Sequence, residues 1–348
     1  MTKAIPDTQG AVSASPSGPA GASDRFGRLR RRLFGSSPLL MTGVLILLVI
    51  FFSIMAPQGF PTFANARNIL MDMAILLVMA VGVTFVMVAA GFDLSIGSVL
   101  VFGQVCAAKV MGAMGGDGIG TMLAGLAVSV GGGVLWGLFN GWCIAKLKVP
   151  ALITTLGTLG AALGVAYLLT NGNDVRTVPR ILRTFNAQNF LGLKWIVWIA
   201  LIVAVIGGLI LAYTRFGRHT YIIGSNEETA RRAGIDVQSH LIKLYAITGA
   251  LAGLAGMLSL IRYGTTTIGG HGTDSLAVIT GVILGGTSLF GGIGIVAGTV
   301  VGLSIPTVLN NGFVVMNVPA FWQQVAIGLI LIAAVYVDQL RRKRRDQP

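Results

Sequence analysis

Charge is scarce in this chain: only 11% of its 348 residues are Asp, Glu, Lys or Arg, against about 25% in a soluble domain. With 54% hydrophobic residues and a mean hydropathy of +0.81, that scarcity excludes a soluble globular protein. Cysteine is nearly absent too. Cys106 and Cys143 both lie in apolar stretches, with no CxxC and no Cys/His ligand spacing, so neither disulfides nor zinc are expected. The phosphate-cradling pattern G-x-x-x-x-G-K-[ST] does not occur. Its nearest approximation, Gly291, Gly292, Gly294 and Gly298, sits in an apolar run with no following Lys and reads as a tight turn with helix packing. His219, His240 and His271 are scattered and form no HExxH. The chain is therefore expected to hold no catalytic residues, no metal and no cofactor of its own.

What is present is apolar sequence in blocks, at residues 38–56, 69–90, 97–114, 121–145, 150–170, 195–213, 241–261, 277–290, 293–309 and 321–340. A membrane helix needs about 20 apolar residues, so the expected fold is all-α: a polytopic integral membrane protein of about ten transmembrane helices. The eighth and ninth blocks are separated only by Gly291 and Gly292, which leaves a merged or re-entrant pair as the alternative. The first block is longer than the core of a secretory signal and no A-x-A site follows it, so it is expected to be a retained span. Residues 1–37 are rich in Ser, Pro, Gly and Ala and carry a run of arginines, as a disordered basic cytoplasmic tail would. Residues 38–340 form the transmembrane domain and 341–348 a second basic tail.

Basic residues test the topology, because Lys and Arg near span ends stay on the cytoplasmic side. With a cytoplasmic amino end, 18 of the 25 basic residues fall on that side, which places both termini there. The same sorting accounts for the net charge of +13 through orientation and contact with anionic lipid, without nucleic acid. Two connections are long: an outer loop at 171–194 and an inner loop at 214–240. So little mass outside the bilayer leaves an ion gradient or a partner protein as the energy source. Asp72, Asp93, Lys109, Lys243 and Asp338 all fall near predicted span ends. The lack of a mid-membrane carboxylate pair counts against an ion-coupled carrier. Small residues recur four apart, as Gly133/Gly137/Gly141, Gly160/Gly164, Gly249/Gly253, Gly281/Gly285 and Gly298/Gly302, a spacing that lets helix backbones approach.

Two segments interrupt the apolar pattern. Residues 90–98 break a long apolar run with Asp93, Ser95 and Gly97. Either these residues end one helix and cap the next, or the broken backbone lines a translocation path, where irregular backbone at membrane depth is tolerated. In the inner loop, Ser225 or Asn226 can cap a short helix whose positive end meets Glu227 and Glu228 and whose negative end meets Arg231 and Arg232. Gly234 can terminate it, and Ala230 and Ala233 offer small contacts. The helix is either a solvated connector or a docking element for a cytoplasmic partner.

Four motifs, residues 91–98, 140–156, 224–234 and 285–292, occur in an order and spacing that resembles the permease subunits of bacterial ABC importers for monosaccharides, the ribose/xylose/arabinose type. The likeness covers nearly the whole chain after residue 38; the Ser/Pro-rich amino tail lies outside the family pattern. It implies an inner-membrane permease, not an enzyme, with four kinds of neighbour: a periplasmic sugar-binding protein, a cytoplasmic ABC ATPase subunit that binds ATP and Mg, a second permease copy in a homodimer, and the lipid bilayer. It also implies coupling to the ATPase through Gly224, Asn226, Glu227, Glu228, Ala230, Arg231 and Gly234, and a path at Phe92, Asp93, Ser95, Asn140, Thr154 and Thr155. The alternative from another class is an ion-coupled secondary transporter of a small polar solute.

Overall fold

The computed structural model describes residues 37–345. Its helices are α1 (Ser37–Met55), α2 (Phe63–Val88), α3 (Ile96–Met114), α4 (Ile119–Ala145), α5 (Ala151–Thr170), α6 (Arg180–Ala187), α7 (Trp195–Tyr213), α8 (Arg215–Ser225), α9 (Glu227–Arg232), α10 (Val237–Tyr263), α11 (Asp274–Leu284), α12 (Val296–Val315) and α13 (Ala320–Arg345). The strands are β1 (Asn189–Phe190) and β2 (Leu193–Lys194), a two-residue antiparallel hairpin in the outer loop. The fold is thus all-α and polytopic, as the apolar blocks predict. The expected amino tail lies outside the described residues up to residue 36, whereas the basic run at 341–345 continues α13.

Among the described residues seven helices, α2, α3, α4, α5, α7, α10 and α12, are long and apolar enough to cross a bilayer. Three shorter apolar helices, Leu40–Met55, Asp274–Leu284 and Phe321–Tyr336, match the remaining blocks. The eighth block departs from expectation. Helix α11 has 11 residues, about 16 Å at 1.5 Å per residue, roughly half a hydrocarbon core. It ends at Leu284 because Gly286 takes a left-handed φ of 95°, and Gly291 and Gly292, at 82° and 73°, turn the chain again before α12, conformations that favour glycine. The connection to α12 is therefore a separate turn and the two helices do not merge.

Helices α2 and α10 form the centre of the bundle, with most of their lengths buried. Glycine explains how α4 reaches α10. A Cβ at Gly133 would meet the backbone of Gly249, one at Gly137 that of Tyr245, and one at Gly253 that of Ser129. Gly285 meets Gly298 in the same way where α11 ends against α12. Van der Waals contact at this range replaces the hydrophobic drive that lipid cannot supply. The pair Gly160/Gly164 differs: among the described residues an added Cβ meets nothing within 4 Å at either position. Buried polar ties reinforce the packing, with Ser129 Oγ donating to Gly253 O at 2.7 Å and Thr248 Oγ1 to Gly82 O at 3.1 Å. At the end of the bundle that carries the outer loop, Arg262 Nη2 pairs with Asp72 Oδ1 at 3.2 Å and joins α10 to α2.

Candidate coupling loop and polar core

The break between α2 and α3 is a packed turn. After Val88 the chain passes Ala90 at φ 60°, and Gly91 N donates back to Val86 O at 2.8 Å. Asp93 Oδ1 accepts from Ser95 N at 2.9 Å and from Ser95 Oγ at 2.6 Å, an Asx turn of the kind short polar side chains form ahead of helices. Asn140 Nδ2, from α4, donates to Ser95 Oγ at 2.9 Å. Phe92 is clamped through its backbone: its N–H donates to Tyr245 Oη at 3.3 Å, and that hydroxyl donates to Phe92 O at 3.0 Å. Capping of α3 is split between two elements. Ser95 occupies the N-cap without a side-chain bond to the helix, and Ser275 Oγ of α11 accepts from Gly97 N at 3.0 Å while donating to Leu94 O at 2.9 Å.

The six expected path residues are thus only partly gathered. Phe92, Asp93, Ser95 and Asn140 form one cluster, with Asp93, Ser95 and Asn140 at most 2% exposed. Thr154 and Thr155 are also buried, on α5. Thr155 Oγ1 donates within its own helix to Ala151 O at 2.9 Å, and no hydrogen bond joins either threonine to Asn140 among the described residues. Two atoms in this region are buried without a partner there, Asn140 Oδ1 and Thr154 Oγ1. Such groups carry unspent hydrogen-bonding capacity.

The inner loop folds as its residues dictate. Asn226 Oδ1 accepts from Thr229 N at 2.8 Å and caps α9, the role open to Ser225 or Asn226 from sequence. Glu227 pairs with Arg231 at 2.6 Å, and Glu228 with Arg232, both at i,i+4. Gly234, at φ 77°, ends the helix with its N–H on Arg231 O at 3.0 Å. Asp236 then caps α10: Ser239 donates to it through both Oγ, at 2.6 Å, and N, at 3.1 Å. These bonds hold its carboxyl below the usual carboxylate range.

Ala230 differs from the other loop residues. It is fully buried with Ile223 and Val237 in a small apolar cluster of the loop itself. Its small size therefore serves the packing of α9 on this chain. The surface that α9 presents outward consists of Glu227, Glu228, Thr229, Arg231 and Arg232, four of the five charged.

The loop and the break are in direct contact. A Cβ at Gly224 would collide with Val88 O, and that same carbonyl accepts from Gly292 N at 2.8 Å. An added Cβ at Gly291 would touch Ala90. Tyr221 Oη donates to Gly294 O at 2.5 Å. Helix α8, the end of α2 and the turn before α12 thus meet at Val88, five residues ahead of Asp93. Sequence spacing alone gave no sign that motifs 91–98, 224–234 and 285–292 share one junction.

A bundle of apolar helices with a hydrogen-bonded break in its interior, rooted at one end on a short charged helix, defines a membrane transport subunit. The chain belongs to the family described as branched-chain amino acid transport system / permease component, whose pattern matches residues 65–335. Similar proteins include the L-arabinose transport system permease protein AraH of Escherichia coli K12, 35% identical over 96% of this chain and 98% of AraH. The D-allose transport system permease protein AlsC of the same organism is 33% identical over 86% of this chain and 91% of its own length. The autoinducer 2 import system permease protein LsrC of Salmonella typhimurium LT2 is 35% identical over 76% of this chain and 75% of LsrC. No solved structure matches the chain. The protein is accordingly an ABC importer permease of the inner membrane and not an enzyme.

Proposed function

We propose that the chain is the membrane-spanning subunit of an ATP-driven importer that moves a monosaccharide handed over by a periplasmic binding protein. ATP and Mg bind to a separate cytoplasmic subunit, and two permease copies form the pore. Likeness to AraH and AlsC over nearly the full chain supports a pentose or hexose as substrate. The observation that carries the mechanism is the junction at Val88. An exposed, doubly ion-paired helix, α9, offers the ATPase a charged grip, and Gly224 anchors its root on the carbonyl that precedes the 89–95 break. Displacement of α8 and α9 by the partner is then transmitted to Asp93, Ser95 and Asn140 through packed backbone, which has little freedom to absorb it.

A second copy fits the outward face of α5. Gly157, Gly160 and Gly164 lie along it with nothing among the described residues within 4 Å of an added Cβ, and small residues at this spacing permit close helix contact in lipid. The experiment is reconstitution in proteoliposomes with the ATPase subunit and the binding protein, followed by measurement of monosaccharide-stimulated ATP hydrolysis. Stimulation by pentoses or hexoses supports the reading. Hydrolysis unaffected by any monosaccharide contradicts it.

A further inference from the structure

At the end of the bundle opposite α9, a cavity of about 220 Å³ opens between α2, α11 and α12 and is lined by Asp72, Tyr263, His271, Asp274 and Asn310, among others. None of these residues belongs to the motifs that suggested the transport path. Apolar walls come from Ile75, Leu76 and Val314. The combination of apolar walls with a few convergent polar groups is that of a small-molecule site, at a volume below the ~300–1,000 Å³ of pockets for drug-sized ligands.

Its polar groups are held in place by their neighbours, some in the lining and some behind it. Arg262 Nη2 and Nε and Tyr263 Oη all bond the same carboxylate oxygen, Asp72 Oδ1, at 3.2, 3.3 and 3.4 Å. Among the described residues Asp72 Oδ2 receives no hydrogen bond. His271 Nδ1 bonds Asp274 Oδ2 at 2.7 Å, while Nε2 lies 3.0 Å from Ser259 Oγ and 2.8 Å from Thr267 Oγ1. The imidazole is thereby fixed and Asp274 Oδ1 is left open. Asn310 Oδ1 is buried with no partner. Three oxygen acceptors around one cavity thus have capacity to spare.

Those acceptors define the ligand. An anion is opposed by two carboxylates. A metal ion lacks its ligand set, because no group of three or more His, Cys, Asp or Glu residues able to hold one occurs among the described residues. An apolar solute would strip water from these oxygens and return no hydrogen bond, a loss that buried polar groups do not tolerate cheaply. A solute with several adjacent hydroxyls has a donor to offer each of them, and Tyr263 adds an aromatic ring to the lining. We infer that this cavity is a transient binding site for a monosaccharide on the permease itself. The inference rests on the reading of the chain as a monosaccharide permease.

The test uses Val314, which lines the rim and is 60% exposed. In the full importer in proteoliposomes, Val314→Cys is introduced on a background of Cys106→Ser and Cys143→Ala. Its modification by a small polar maleimide is timed with and without L-arabinose, D-allose, D-ribose, D-xylose and D-glucose. A site with Kd of ~1 mM slows modification about tenfold at ~10 mM sugar, within the weak-binding range. At least one sugar is expected to protect, and Asn310→Leu is expected to remove protection without changing the unprotected rate. Uptake of the same five sugars is measured in parallel. Uptake of a sugar that gives no protection overturns this inference and leaves the function standing. Failure to take up any of the five counts against the function itself. Protection that persists in Asn310→Leu places the sugar elsewhere and also overturns the assignment.

Discussion

The carbonyl oxygen of Val88 faces Gly224 with no room for a side chain between them. This contact fastens the inner loop to the end of α2, so residue 224 is where the loop's motion and the break's geometry meet. Gly224→Ala places a Cβ against that carbonyl, and overpacking of this kind commonly costs about 1–3 kcal/mol. The expected result is a lower melting temperature in detergent and loss of ATP-coupled uptake even where the ATPase still binds. A variant that melts and transports like wild type would remove the junction from the account.

Glu228 and Ala230 are two residues apart and make opposite predictions. The side chain of Glu228 is 72% exposed, and an exposed i,i+4 ion pair contributes about 0.3–0.5 kcal/mol. Glu228→Lys should therefore leave permease stability almost unchanged while weakening ATPase pull-down. Ala230→Trp should unfold the α8–α9 loop on its own, seen as protease cleavage within 214–240 in the isolated permease. Intact proteolytic resistance in Ala230→Trp would contradict its burial.

Asp93 separates a structural oxygen from a charge. Asp93→Asn keeps an acceptor for Ser95 N and is expected to retain most stability. Asp93→Ala leaves the Ser95 N–H and hydroxyl buried without that partner, at about 1–3 kcal/mol, and should reduce both expression and uptake. Equal behaviour of the two variants would show that the turn does not depend on this hydrogen bond.

Asp236 supplies a pH test on the inner side. Its folded carboxyl is held below the ordinary range by Ser239, so the stability it contributes is present above the unfolded pKa and is lost as pH falls through the lower folded value. The melting temperature of wild type should exceed that of Asp236→Ala at pH 7, and the gap should close under strongly acidic conditions. A gap independent of pH would assign the effect to something other than the ionised cap.

Much of this is legible in the sequence. Apolar block length gave every major helix, and Asn226, Glu227 and Gly234 announced α9 because capping, helix charge and left-handed termination act within a few residues. Three features were not legible. The shortening of α11 depends on the left-handed turn at Gly286, which beside the packing residue Gly285 reads locally as one more packing glycine. The inward direction of Ala230 is set by Ile223 and Val237, on the neighbouring helices. The cavity joins Asp72 to residues about 190 and 200 positions later; separations of that size carry no periodic signal, and Asp72 read alone is only a charge near a span end.

The central claim is that transport by this chain is driven through α9 by an ATPase subunit. It is tested most directly by monosaccharide uptake into proteoliposomes containing the permease with or without that subunit, and with wild-type or Glu228→Lys α9. The account predicts uptake only with the ATPase subunit, binding protein and ATP together, and a sharp fall in Glu228→Lys at unchanged permease content. Uptake by the permease alone, driven by a proton or sodium gradient, would contradict it.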